Sequence, residues 1–372
     1  MPYNGALSGA LRVPASIATP APTGSGYAPL VEVSRGGIVE SVHFGAIAVV
    51  DSRGRSIASA GDPGTPVVLR STAKPAQVLP LLDSGAADRF RFTEAEIAVM
   101  AGSHGGEPFH VLAVRAILKK IDLDETALQC GAHPPYHRPS ARALSRRGQK
   151  PSALHNNCSG KHAGMLALAV HLDAPVPAYL EPAHPVQAAI RARLETLAGL
   201  DPQSVRIATD GCSAPTFAVP LRGLALLYAR LAAGTDAAGA PDVSARRAVR
   251  AMRRHPEMVA GTDRLCTELM RAGRAGLIAK IGAEGMYALA FERDGAGVGV
   301  ALKIADGEGQ RARFSAALDA LRQLGALAPE DATALRARFV GELRNHRGLL
   351  VGEVATTFQL VGRGAGRRSI ML

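Results

Sequence analysis

Two short stretches of this sequence carry more chemistry than an ordinary loop or helix would. One is "STAK", which places Ser71 three residues before Lys74, where strand-like spacing changes to helical spacing. Residues i and i+3 lie on one face of a first helical turn, so the lysine amine can reach the serine hydroxyl. A serine becomes an effective nucleophile when a neutral amine accepts its proton, and burial or a nearby cation lowers the lysine pKa enough to supply one. An N-cap serine beside a solvent-facing lysine has the same sequence, so the motif alone does not show whether Ser71 is a nucleophile.

The second stretch, "HNNCSGKHAG" at residues 155–164, collects a thiol, an amine, two imidazoles and two amides. These letters leave three interpretations of Cys158 open. Cys158 is one of three things: a nucleophile, with a pKa lowered by its place in a glycine-containing loop before a helix; a metal ligand; or a small buried apolar residue. Cys130 and Cys266 have no such companions, and we expect both to be buried apolar residues.

Length and composition limit the class of protein. The chain has 372 residues, 47% of them hydrophobic, a formal net charge of +11 and four cysteines. This size supports one large domain or two modest ones, and four cysteines do not make a disulfide framework. The arginines are spread along helices, as in "SARRAVRAMRRH" at 244–255, which indicates solvated helix faces and no nucleic-acid partner.

The chain also lacks the sequence signals of a membrane or exported protein. No apolar run reaches membrane-spanning length, and residues 1–29 lack the basic and apolar segments of a signal peptide. We expect a flexible lead-in over 1–29, no membrane partner and a cytoplasmic protein.

The order of predicted elements indicates the fold class. Alternating β-branched residues and glycine turns predict an antiparallel meander at 30–61 and another strand at 65–70. Helical spacing begins at Ser71, and a Thr93–Glu96 capping box opens the next helix. Helices fill most of the chain to residue 273, and a β-hairpin with a glycine-rich tip is predicted at 276–307. Strands on both sides of a helical stretch predict an α+β fold, in which an all-helical part near 90–275 separates sheet parts near 30–70 and 276–372.

Five separated motifs carry a family resemblance: "RSTAKPAQVLPLL", "SHGGEPFH", "HNNCSGKHAGML", "DGCSAPTF" and "AKIGAEG", in this order. From about Leu30 to the C-terminus, the sequence resembles the rhizobial-type (class 3) L-asparaginases of the asparaginase II family. The resemblance implies a serine β-lactamase-like fold with a single catalytic domain over 30–372. It also implies a homodimer that hydrolyses L-asparagine to L-aspartate and ammonia.

Carried over by position, the resemblance implies two Ser–Lys pairs. Ser71 with Lys74 matches the nucleophile pair, and Ser103 with Lys280 matches the second pair. Hydrolysis of an unactivated amide needs a nucleophile, a base, an oxyanion stabiliser and a proton source for the leaving ammonia. Two lysines near one serine repel each other, which lowers at least one lysine pKa and gives the neutral amine that a base requires.

The resemblance further implies a zinc site that lies close to the substrate without performing the hydrolysis. Its implied ligands are Cys158, Lys161, Asp210 and Cys212. Two thiolates and a carboxylate suit zinc, whereas a lysine binds a metal only when neutral. From the residues alone, His155 or His162 is the more ordinary nitrogen ligand, and the choice stays open.

Three further residues are candidates for binding the substrate. Arg70 and His104 adjoin the two serines and are candidates for holding the substrate carboxylate, and Asn157 adjoins Cys158. The alternatives are another serine amidase, esterase or β-lactamase-like hydrolase, a Cys158 amidase, and a basic binding protein. The missing Lys-Thr-Gly argues against a penicillin-recognising site. Asparagine and glutamine differ by one methylene, and the sequence does not show which of the two is the preferred substrate.

Overall fold

The computed structural model describes residues 26–202, 204–273, 276–307 and 309–362. The strands are β1 (Ala28–Arg35), β2 (Ile38–Asp51), β3 (Ser56–Ala60), β4 (Pro66–Val68), β5 (Arg206–Thr209), β6 (Pro215–Pro220), β7 (Ile278–Ile281), β8 (Met286–Arg293), β9 (Ala296–Ile304), β10 (Leu343–Arg344), β11 (Leu350–Thr356) and β12 (Val361–Gly362). The helices are α1 (Lys74–Gln77), α2 (Leu79–Asp83), α3 (Ala86–Arg89), α4 (Glu94–Met100), α5 (Pro108–Lys120), α6 (Arg138–Arg146), α7 (Ser159–His171), α8 (Pro185–Ala198), α9 (Leu221–Ala233), α10 (Val243–Arg254), α11 (Pro256–Ala260), α12 (Leu265–Ala272), α13 (Arg311–Gln323) and α14 (Pro329–Phe339).

The main sheet joins the two ends of the chain. Its strand order is β10-β11-β1-β2-β9-β8-β7, with β3 paired to β2 and β12 paired to β3. The pairings are antiparallel, and β7 lies at one edge, where Lys280 is opposite Ala288. Helix α9 packs against β9 so closely that a Cβ on Gly299 would lie 1.9 Å from the Ala225 carbonyl oxygen. The glycine therefore allows the helix backbone to rest directly on the sheet.

Helices α1 to α12 lie between the two groups of sheet strands, as the sequence predicts, so the α+β class is confirmed. A small antiparallel sheet, β4-β6-β5, accompanies these helices. Strands β5 and β6 lie within residues 90–275, which the sequence predicted to be all-helical. The sequence did not indicate β6, because its six residues begin and end with proline, which marks a turn in sequence patterns.

Local signals agree with the structure in most places. The Thr93 hydroxyl accepts a hydrogen bond from the Glu96 amide at 3.3 Å, and the Glu96 carboxylate accepts from the Thr93 amide at 2.7 Å, as a capping box requires. The helix expected from Ser71 is divided into a 3-10 turn, Arg70–Ala73, followed by α1 and α2. The hairpin expected at 276–307 is a three-stranded meander, β7 to β9.

Near the chain ends, the structure differs from the predicted boundaries, and the outermost residues lie outside the described ranges. The first strand begins at Ala28, two residues earlier than the boundary predicted for the lead-in, and residues 1–25 are outside the described ranges. Short strands β10 to β12 follow α14, within the sheet part predicted near 276–372. In the described part of the chain, no helix is long and apolar enough to cross a membrane.

Candidate active site

The 3-10 turn Arg70–Ala73 holds Ser71 between β4 and α1. Its backbone is fixed from two directions: the Thr72 hydroxyl donates to the Leu69 carbonyl at 2.5 Å, and the buried Tyr228 hydroxyl donates to the Thr72 carbonyl at 2.8 Å. Arg70 has φ +50°, in the left-handed region that non-glycine residues rarely adopt. Ser71 itself is half-buried.

Ser103 follows α4 and lies deeper in the protein, with 6% of its surface exposed. Its amide donates to the Val259 carbonyl at 2.7 Å. Gly102 makes this possible, because a Cβ there would lie 2.8 Å from the Val259 oxygen. The Ser103 hydroxyl lies 2.8 Å from the Lys74 amine and 2.8 Å from the Lys280 amine. One hydroxyl therefore bridges two buried lysines that are far apart in the sequence.

The two lysines are almost completely enclosed. Lys74 also donates to the Asn157 carbonyl at 3.2 Å, and Lys280 donates to the Ile281 carbonyl at 2.8 Å. Burial, followed by the positive charge of Lys74, lowers the pKa of Lys280 from 10.5 to about 7. Near neutral pH, a large fraction of Lys280 is therefore the neutral amine, whose lone pair can accept the Ser103 proton.

The hydrogen bonds of the structure differ from the two Ser–Lys pairs that the sequence predicts. Lys74 bonds to Ser103, and within the described ranges the Ser71 hydroxyl has no hydrogen bond. Ser71 and Lys74 nevertheless stand three residues apart in tight helical turns, where i and i+3 side chains lie above one another. Ser103 with Lys280 is a direct hydrogen-bonded pair.

His104 lies inside the protein rather than facing a substrate. It is 0% exposed, its Nδ1 accepts from the Gly106 amide at 3.2 Å, and its Nε2 lies 3.0 Å from the Ser159 hydroxyl. Burial holds the pKa of His104 well below its usual value, so the ring is neutral. Because both ring nitrogens have protein partners, the geometry does not support the expected grip on a substrate carboxylate.

Arg70 and Asn157 lie at the more accessible side of the cluster. Arg70 contacts Asp210 at 2.8 Å and Glu284 at 3.8 Å. The Asn157 side-chain oxygen lies 3.2 Å from the Cys158 sulfur, and the Asn157 carbonyl accepts from Lys74. Both residues therefore connect the Ser–Lys cluster to the residues predicted to bind zinc.

The four predicted zinc ligands are gathered in one place. Lys161 donates to the Cys212 sulfur at 3.0 Å and lies 3.9 Å from Asp210, whose other oxygen binds Arg70. The Cys212 thiol donates to the Asp210 carboxylate at 3.8 Å. The side-chain interaction between Cys212 and Cys158, with Lys74 and Lys161 nearby, holds the pKa of Cys158 well below its usual value and raises the pKa of Cys212.

The donor types fit zinc, because two thiols and a carboxylate are ordinary zinc ligands. Their spacing is that of a hydrogen-bonded cluster, and among the described residues no group of three or more His, Cys, Asp or Glu side chains is arranged to hold a metal ion. The anionic residues raise the pKa of Lys161, so this lysine is an ammonium that neutralises the same charges a metal would neutralise. Lys161 must lose its proton to act as a ligand.

The two histidines that were the alternative nitrogen ligands are engaged elsewhere. His162 Nδ1 lies 2.6 Å from the Tyr179 hydroxyl, which also accepts from the Gln129 amide at 2.9 Å. His155 Nδ1 accepts from the Ser152 amide at 3.0 Å. In the neutral His155 ring, Nε2 therefore carries the proton and has no lone pair for a metal.

Two further observations concern residues that the sequence did not connect to the site. Cys130 and Cys266 are buried, as predicted, with 4% and 2% of their surface exposed. Tyr228, which fixes the Ser71 turn, was missed. It lies on the apolar face of α9, 156 positions from the residue it binds, and no local pattern distinguishes it from a core tyrosine.

The fold and the site together define an α+β protein with a buried serine–lysine–lysine cluster beside a thiol cluster. The family model described as L-asparaginase II matches residues 31–356, and the chain belongs to the L-asparaginase II family. No curated protein matches the chain.

Solved structures with a similar fold include Mglu in its native form and a Bacillus glutaminase. Mglu is 16% identical, with a TM-score of 0.41 over 78% of this chain and 62% of that chain. The Bacillus glutaminase is 13% identical, with a TM-score of 0.37 over 76% of this chain and 91% of that chain. The present chain thus spans about 62% of the length of Mglu. The family assignment depends on the sequence match.

Proposed function

We propose that this protein is an amidohydrolase that hydrolyses L-asparagine to L-aspartate and ammonia through an acyl-enzyme on Ser71. The observation that carries the proposal is the Ser103 hydroxyl held 2.8 Å from two buried lysine amines, next to the turn that presents Ser71. Membership of the L-asparaginase II family supports amide hydrolysis as the reaction class.

Ser71 is the better nucleophile of the two serines, because it is half-buried whereas Ser103 is enclosed. Lys74 stands one helical turn away, and its ammonium first passes a proton through the Ser103 hydroxyl to neutral Lys280. Lys74, now neutral, accepts the Ser71 proton as the hydroxyl attacks the amide carbon. The positive charge gained at the lysines balances the oxyanion that forms on the substrate, and returning a proton to the amide nitrogen releases ammonia.

The second half of the reaction reverses these proton movements. Water loses a proton to the same lysine–serine–lysine chain, attacks the ester carbon and releases aspartate from Ser71. The network is suited to both directions, because the neutral and charged forms of Lys280 are nearly balanced near pH 7.

The residues beside Ser71 support an α-amino acid as the substrate. An α-amino acid presents a carboxylate and an ammonium, and Arg70 lies between the carboxylates of Asp210 and Glu284. Arg70 would bind the substrate carboxylate, and Glu284, which is exposed, would bind its ammonium. We retain Asn157 as a further substrate-binding residue and give His104 a positioning role through Ser159.

We also propose that the thiol cluster binds zinc. Cys158, Cys212 and Asp210 would hold the ion, with Lys161 completing the shell after losing its proton. When bound, zinc would supply positive charge close to the substrate. The protein's own contribution here is to hold Asp210 toward both Lys161 and Arg70. The homodimer and the cytoplasmic location remain predictions, and sedimentation of the purified chain tests the first.

A Cys158 amidase is the second candidate function, because Lys74, Lys161 and Cys212 together favour the Cys158 thiolate. Only 4% of Cys158 is exposed, which places its sulfur poorly for attack on a substrate. Cys158→Ser distinguishes the two enzymes, since it abolishes a cysteine amidase and leaves the Ser71 acylation step in place.

Ammonia release tests the proposal. The wild-type chain is expected to release ammonia from asparagine and to leave a chromogenic β-lactam intact, with glutamine as a third substrate. Ser71→Ala is expected to lower turnover by at least about 10³-fold, as removal of a nucleophile does. Ser84→Ala is the matched control, because Ser84 is also half-buried, lies 13 positions on, and bonds only to nearby backbone. Equal activity in Ser71→Ala and Ser84→Ala would refute the mechanism.

A further inference from the structure

An arginine-lined groove lies between α10 and the end of α12, and none of its residues belongs to the candidate active site. Its volume is about 720 Å³. Five arginines line it: Arg246, Arg250, Arg253, Arg254 and Arg271. We call this the arginine groove. Its single acidic lining residue among those described is Glu292.

The positive charges of the groove are only partly neutralised. Arg250 and Arg254 share one carboxylate, that of Glu94, at 2.6 and 3.2 Å. In the part of the chain that the structure describes, Arg246 and Arg253 have no carboxylate within ion-pair distance. Arg271 has two carboxylate partners outside the groove, at 3.1 and 3.6 Å. The groove therefore offers two guanidinium groups, those of Arg246 and Arg253, that no described carboxylate pairs.

These guanidinium groups are spaced for a ligand with several negative charges. Arg246, Arg250 and Arg253 follow one another at i, i+4 and i+7 on α10, so they share one helix face. Arg246 and Arg253 are separated by about 10 Å along the helix axis, since each residue advances the helix by about 1.5 Å. Because these arginines lie along one helix face, a ligand that carries several linked anionic groups can contact more than one of them at once.

We propose that the arginine groove binds the polyphosphate chain of a small molecule. Planar guanidinium groups form paired hydrogen bonds to phosphate oxygens, which an ammonium does not. The shared chemistry is the phosphate chain, which an inorganic polyphosphate and a nucleoside polyphosphate both carry. The apolar wall formed by Val249 and Met270 would contact the base of a nucleoside polyphosphate.

Titration calorimetry of the full chain at about 0.1 M salt tests the proposal, with inorganic tripolyphosphate and ATP as separate probes. The wild-type chain is expected to bind tripolyphosphate saturably with one site per chain. Arg246→Gln with Arg253→Gln is expected to weaken binding at least tenfold. Tighter binding of ATP than of tripolyphosphate would assign the ligand as a nucleoside polyphosphate, and equal binding would assign the inorganic chain.

The control variant also loses two positive charges, but on a helix outside the arginine groove. Arg142→Gln with Arg146→Gln removes two exposed arginines from one face of α6, outside the groove, and is expected to leave the affinity within twofold. Arg253→Gln alone keeps the test valid if the double variant misfolds, because Arg246 bonds to the Gly234 carbonyl whereas Arg253 makes no hydrogen bond to the described backbone. No saturable binding by the wild type, or equal weakening in the α6 control, overturns the proposal.

Discussion

Burial of Lys280 has a measurable effect on the pH dependence of stability. In the unfolded chain this lysine titrates near 10.5, and in the folded chain its pKa is about 7. Between these values the unfolded state binds more protons, so the free energy of unfolding rises with pH by up to about 1.4 kcal/mol per pH unit. The full pKa shift of roughly 3.5 units corresponds to about 5 kcal/mol of the free energy of unfolding. The folded protein is less stable by this amount below pH 7, and its stability recovers as the pH rises toward 10.5.

Lys280→Met removes this titration while keeping a long side chain. We expect the stability of the wild type minus that of Lys280→Met to increase with pH from 7 to 10, and to be constant below pH 6. Denaturant unfolding followed by circular dichroism measures both proteins across this range. Lys119→Met, at an exposed position on α5, controls for the substitution and is expected to change stability by no more than about 0.5 kcal/mol. Parallel stability curves for the wild type and Lys280→Met would refute the account of the buried lysine.

Three further predictions concern activity and metal content. The kcat/KM for asparagine is expected to rise with pH through an inflection near 7, as Lys280 loses its proton, and an inflection more than two units away would contradict its role as proton acceptor. Tyr228→Phe removes the hydrogen bond to the Ser71 turn, so we expect a stability loss of about 1–3 kcal/mol and a lower kcat with little change in KM, measured by unfolding and steady-state kinetics. Cys212→Ser is expected to lower the zinc content of protein purified without chelator at least tenfold, and unchanged zinc by elemental analysis would exclude the thiol site.

The sequence predicts the fold well where signals are local. The Thr93–Glu96 capping box needs only neighbouring residues, and it is present. The strand β6 was missed because pairing with β4 and β5, rather than its own letters, makes it a strand. Tertiary partners of this kind are not visible in a local pattern.

The same distinction applies to the candidate site. Ser71 and Lys74 are neighbours in sequence, and their motif indicated an interaction between them. The structure instead joins Lys74 to Ser103, 29 positions away, and Lys280 to the same hydroxyl from 177 positions away. His104 looked accessible because it adjoins Ser103, yet the packing of α7 encloses it. Burial and long-range partners therefore decide which of the chemically suitable residues can act.

The central claim is that Ser71, assisted by the Lys74–Ser103–Lys280 network, forms the acyl-enzyme. The most direct measurement is rapid acid quench of the enzyme during turnover of L-asparagine, followed by proteolysis and mass spectrometry of the modified peptide. The account predicts an aspartyl ester on the peptide that contains Ser71, and its loss in Ser71→Ala. An acyl group on Ser103 or Cys158 would contradict it.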